Sequence, residues 1–146
     1  MSEYDILNVV KEIYLAQRAR NIPALRNFLA DDVKWFSLGP PESIPIAGTR
    51  IGRDRVEQYF AMIELMTGMD SFAPREFIVD DNKVVAIGDL QYYIPSTGSL
   101  IKSPWIHVFT LRNGKVSEFR SFYDTAATIA ALEAPVICPQ EQPQTA

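Results

Sequence analysis

Cysteine and histidine are almost missing from this chain, which holds one of each, Cys138 and His107. A single cysteine excludes an internal disulfide. One histidine and one distant cysteine cannot assemble the His/Cys sets that zinc and other transition metals require, so neither a metal nor another cofactor is expected. Basic charge is also scarce. Fourteen Lys plus Arg against eighteen Asp plus Glu leave a net charge of −4, and no basic stripe interrupts it, so nucleic acid is not an expected partner. No apolar run approaches the roughly 18–20 residues that span a bilayer, which argues against a membrane partner. The opening MSEYDILN places acids where a secretory signal has basic residues and an apolar run, so the expected compartment is the cytoplasm.

The chain does have apolar material for one sizeable core: 146 residues, 47% hydrophobic and 11% aromatic. From Asp5 to Arg20, Ile6, Val9, Val10, Ile13 and Tyr14 recur at helical spacing, which places Tyr14 on the buried stripe. Asn21-Ile22-Pro23 breaks the pattern, and Pro23 suits the first turn of a second short helix running through Leu25, Phe28 and Leu29. A strand is expected over 33–38, ended by Gly39-Pro40-Pro41, then a long irregular loop to Ile46. A third helix opens at Gly52-Arg53-Asp54 and follows Val56, Tyr59, Phe60, Ile63 and Met66 to an exit at Gly68. Four long strands follow over 72–79, 84–94, 104–112 and 116–123, with Asn113-Gly114 suited to a type I′ hairpin. Asp124 is placed to cap a last short helix through Leu132.

Helices first and an antiparallel meander afterwards is an α+β arrangement, with N-terminal helices packed on a strongly curved, mainly antiparallel sheet. The space between them is the expected site of function. The organisation is one domain over 1–132 and a Pro/Gln-rich tail over 133–146 that contains Pro135, Pro139 and Pro143.

The strings LRNFLADDVKWF, GTRIGRDRVEQYF and SPWIHVFTLRNGKVSEFRSFYDTAA resemble the SnoaL-like, ketosteroid isomerase-like branch of the nuclear transport factor 2 superfamily over about residues 5–132. The resemblance implies a cone-shaped fold with an apolar pocket and a homodimer formed through the sheet face. In ketosteroid isomerase a first-helix tyrosine donates to the steroid oxygen, and Tyr14 matches it within IYLAQRARN. The isomerase's general base is an aspartate on the strand after the helical hairpin, and the matching stretch Trp35 to Pro40 has no carboxylate. Limonene epoxide hydrolase, another relative, uses an Arg-x-Asp pair and a late aspartate. Gly88, Leu90 and Ser121 stand at those positions, unless a one-residue slip turns Asp89 inward.

Alternation along the strands predicts which residues share the concave face. Ser103, Trp105, His107 and Phe109 go together on one strand, Phe119, Ser121 and Tyr123 on the next, and Gly88, Leu90 and Tyr92 on a third. His107 is the candidate for proton exchange, because imidazole alone among unperturbed side chains titrates near neutrality. Its bland counterpart is a hydrogen-bonded structural histidine. Tyr14 is the second catalytic candidate, as a donor to a ligand carbonyl, against the alternative of a core tyrosine with a backbone partner. Trp35, Tyr59, Leu90, Tyr92, Trp105, Phe119, Ser121 and Tyr123 are the candidate walls for a small apolar or aromatic molecule, and they would serve equally to fill a solid core. Asp124 reads as a helix cap, Asp89 as an outer-face residue, and Arg50, Arg53 and Arg55 as a solvated face. The functional expectation is a cofactor-independent isomerase, cyclase or dehydratase acting on a carbonyl compound. The alternatives are a non-catalytic binder or a dimeric interaction scaffold.

Overall fold

A computed structural model describes residues 2–66 and 68–135. Helix α1 (Glu3–Arg18) starts at Ser2, whose side chain accepts from the Asp5 amide while Asp5 accepts from the Ser2 amide, and it buries Ile6, Val10, Ile13 and Tyr14. Helix α2 (Ile22–Asn27) is capped by Asn21 and carries proline in its first turn. It ends earlier than its apolar spacing suggested because Leu29 already belongs to strand β1 (Leu29–Ser37), and the Phe28 carbonyl accepts from the Val116 amide. Strand β1 therefore includes Ala30, Asp31 and Asp32, whose polarity hid the start of the strand.

Strand β2 (Gly48–Ile51) was not foreseen. It is a four-residue edge strand between the end of the expected loop at Ile46 and the opening of the third helix at Gly52, too short for a two-residue period to register. Helix α3 (Arg53–Met66) follows, then strands β3 (Gly68–Asp80), β4 (Lys83–Ile94), β5 (Ser99–Arg112) and β6 (Lys115–Tyr123), and helix α4 (Thr125–Glu133). The sheet order is β2-β1-β6-β5-β4-β3, antiparallel throughout except for the parallel β1–β6 pair, and its two edges do not meet. Asn113 and Gly114 both have positive φ, 54° and 77°, as a type I′ turn demands.

Strand β5 begins five residues before Pro104, where the sequence placed its start. Strand β6 stops opposite Trp105, so the stretch from Ser99 to Pro104 pairs only with β4 and tolerates a residue without an N–H. Helix α1 packs against β3 and β4, α3 against β1 and β2, and α4 against β5, which closes the concave side. Among the described residues no helix is long and apolar enough to cross a membrane. Helix α4 ends at Glu133; most of the tail expected over 133–146, with Cys138, lies outside the described residues.

Candidate functional site

The strand registers stack inward-facing residues into rows across the curved sheet. One row runs Ser37, Ser121, His107, Ala86, and the next runs Trp35, Phe119, Phe109, Val84. A third joins Tyr123, Trp105 and Gly88. Gly88 has no side chain because the Trp105 ring lies against it: an added Cβ would meet the Trp105 ring at 2.5 Å and collide with the Ala73 carbonyl oxygen. Trp105 thereby sinks into the sheet and stacks between Phe72, at 4.7 Å, and His107, at 4.2 Å between ring centres.

These rows and helices α1, α3 and α4 enclose a cavity of about 80 Å³. That is several times the ~10–15 Å³ one water requires, and well under the ~300 Å³ at which pockets begin to hold drug-sized molecules. Tyr14, His107 and all eight expected wall residues line it. Its described lining contains no Asp, Glu, Lys or Arg. No grouping of three or more His, Cys, Asp or Glu suited to a metal occurs among the described residues.

Two groupings of polar atoms stand out in the mostly apolar wall. At the first, the Tyr14 hydroxyl lies 2.7 Å from His107 Nδ1, with the two rings nearly parallel at 9°. Burial pushes the Tyr14 hydroxyl well above its ordinary value, with a smaller push from Tyr59. Burial alone lowers His107 to about 3, so the imidazole is neutral at pH 7. A neutral imidazole admits two arrangements. Either Tyr14 donates to Nδ1 and Nε2 carries the proton, or Nδ1–H donates to the Tyr14 oxygen, leaving the Tyr14 O–H and the Nε2 lone pair free. Nε2 has no hydrogen-bond partner among the described residues.

The second polar group sits two strands away along the same row, roughly 10 Å at normal strand spacing. Here Trp35 Nε1 and Ser37 Oγ are buried without a hydrogen-bond partner. Both lie near enough to the Tyr59 hydroxyl to favour its ionised form slightly, while burial, the larger effect, raises it. Trp35 is stacked on Phe119 at 3.8 Å and cannot turn its N–H away. The Tyr123 hydroxyl, by contrast, donates to the Leu38 carbonyl at 2.7 Å. Trp105 Nε1 is a third buried donor without a partner.

Outside the cavity, Asp124 caps α4 by accepting from the Ala127 amide. Asp89 is exposed on the outer face, paired with Arg75 at 2.6 Å, so no register slip brings it inward. Arg53 pairs with Asp31. Arg50 departs from the solvated face assigned to it. It is half-buried, donates to the carbonyls of Ile46 and Pro45, and lies 5.6 Å over the Tyr59 ring, thereby tying down the loop whose Ile44 and Ile46 complete the wall. Ser37 and Gln17 were also missed as wall residues. Ser37 was legible, since it shares the parity of Trp35 on β1; Gln17 reads simply as a polar position one turn beyond Tyr14.

Residues 10–119 match the model of the SnoaL-like domain, and the chain belongs to that family. A nuclear transport factor 2-like protein from Burkholderia xenovorans is 25% identical, with a TM-score of 0.84 over 91% of this chain and 99% of that one. A second such protein, of unknown function, from Burkholderia pseudomallei is 27% identical, with a TM-score of 0.82 over 92% and 100%. TerC, co-crystallised with polyporic acid, shares the fold at 24% identity and a TM-score of 0.79 over 89% and 99%. No curated protein matches the sequence.

Proposed function

We propose that the cone binds a small carbonyl-bearing ring compound and that the Tyr14–His107 pair shifts a proton on it, a reaction of the isomerase, cyclase or dehydratase kind. The observation that carries this reading is the 2.7 Å contact between Tyr14 and His107 Nδ1 inside a cavity whose described lining is free of charge. With Nδ1–H donating to the Tyr14 oxygen, the Tyr14 O–H is free to donate to the ligand carbonyl. His107 Nε2 then accepts a proton from the carbon beside that carbonyl. The C–H electron pair moves into the enolate, whose negative oxygen Tyr14 stabilises, and the proton on Nε2 returns to another carbon of the same molecule. An enolate beside the new imidazolium offsets the burial that holds His107 down. TerC, of the same fold, has been co-crystallised with polyporic acid, and a small organic molecule paired with this fold supports the reading.

A second reading, a binder without turnover, is favoured by His107 itself, since a histidine lowered to about 3 is a weak base. Solvent deuterium exchange into 1-indanone, followed by proton NMR, separates the two. Exchange faster than buffer in wild type and lost in both Tyr14→Phe and His107→Gln is expected. Binding of 1-indanone without exchange would establish the binder. The homodimer expected through the sheet face belongs to the same proposal, supported by Tyr93, Leu100 and Ile106, which leave apolar surface exposed on the outer face.

A further inference from the structure

The cavity shares part of its wall with a larger groove between α1 and β3. This groove measures about 670 Å³, with Leu15, Pro74 and Phe77 on its apolar side and Tyr14, Gln17 and Phe72 common to both spaces. The charged residues in its described lining are Lys11, Arg18 and Arg20, all exposed and all cationic. None has a carboxylate partner among the described residues. Arg26, Arg53, Arg75 and Arg112, by contrast, each pair with an aspartate. In a chain of net charge −4, three unpaired cations around one apolar groove reverse the sign of the charge locally. Lys11, Leu15 and Arg18 fall on one face of α1 at i, i+4 and i+7. Leu15 is left 56% exposed there, and the Lys11 ammonium stands 5.5 Å over the Phe77 ring.

We propose that this groove holds the anionic arm of the ligand whose ring occupies the cavity, so that the natural ligand is a ring ketone bearing an acid group on a short chain. The proposal rests on the cavity being a ligand site, and adds the charge and shape of what enters it. A cavity of about 80 Å³ with no charged wall residue among those described has no room for a long ligand and no counter-charge for an acid. Tyr14, Gln17 and Phe72 are the wall the two spaces share, so an arm that extends from the ring past these three side chains reaches the three cations.

Calorimetric titration with 6-oxo-6-phenylhexanoate and with its methyl ester tests this, because the two probes share ring, ketone and chain and differ in charge. The acid is expected to bind roughly tenfold tighter than the ester at low salt. The advantage should shrink as salt rises and disappear in the Lys11→Gln, Arg18→Gln, Arg20→Gln triple variant, whose ester affinity stays at the wild-type value. Equal binding of acid and ester, or an acid preference that survives the triple variant, overturns the anionic arm and leaves the cavity reading standing. Failure of both probes to bind overturns both. These surface substitutions lie away from the core, and a wild-type circular dichroism spectrum of the triple variant verifies its fold.

Discussion

Two groupings of polar atoms in the cavity wall, at Tyr14–His107 and at Trp35–Ser37, share a row of the sheet, Ser37–Ser121–His107, yet they meet burial in opposite ways. At one, Tyr14 and His107 satisfy each other at 2.7 Å. At the other, Trp35 Nε1 and Ser37 Oγ are sealed from water with no partner. A mutual pair stabilises the empty fold and is already oriented for a ligand, because each side chain fixes the other. Unpartnered donors do the reverse. They weaken the empty fold by the desolvation they do not recover, and they return that energy only to a ligand that brings an acceptor. An indole N–H is a donor only, so what satisfies Trp35 is an acceptor oxygen, supplied by a small shift of the Tyr59 hydroxyl beside it or by a molecule entering the cavity. One end of the cavity has its polar groups satisfied and the other does not.

Three measurements sharpen or break this contrast. The largest effect is expected from pH. His107 is lowered from 6.5 to about 3, so between those values the unfolded chain takes up a proton that the folded chain refuses. Stability from this source is complete above about pH 6.5 and drains away as pH falls toward 3, at up to about 1.4 kcal/mol per unit. Urea unfolding of wild type between pH 7 and 4.5 should therefore lose stability more steeply than His107→Gln; parallel curves would mean that His107 is not buried neutral. Next comes Tyr14→Phe, which leaves His107 Nδ1 without a partner and is expected to cost about 1–2 kcal/mol at pH 7. A cost near zero would mean that the pair contributes nothing to the empty fold. The smallest effect belongs to Ser37→Ala. Deleting a buried hydroxyl that has no partner should leave stability unchanged or raise it by up to about 1 kcal/mol. A loss comparable to that of Tyr14→Phe would show that Ser37 is satisfied after all and erase the difference between the two ends.

Much of this geometry was legible in the sequence because strand parity is a strong constraint: given one inward residue, Trp105, the two-residue period assigns His107 and Phe109 to the same face. Tyr14 followed from the equally regular period of α1. What escaped detection lacks a period. Strand β2 is too short, and the loop carrying Ile44 and Ile46 owes its position to the Arg50 guanidinium, a contact between residues whose composition reads as solvent-facing. The early start of β1 was hidden by Asp31 and Asp32, which are tolerated because both side chains are exposed and meet arginines, Arg53 and Arg112, while Leu29 and Ala30 before them are buried. The pairing of Tyr14 with His107 across 93 residues needed the fold itself, since parity gives a face but not a distance. The orphaned donors were invisible for the same reason.

Both of the chain's tryptophans, Trp35 and Trp105, are in the cavity wall and almost fully buried, one near each polar group. Indole emission from this protein consequently carries no surface background. Every photon originates within contact distance of whatever occupies the cone, so an incoming ring that replaces water or quenches by stacking announces itself in the intrinsic fluorescence, without a label and without altering a residue.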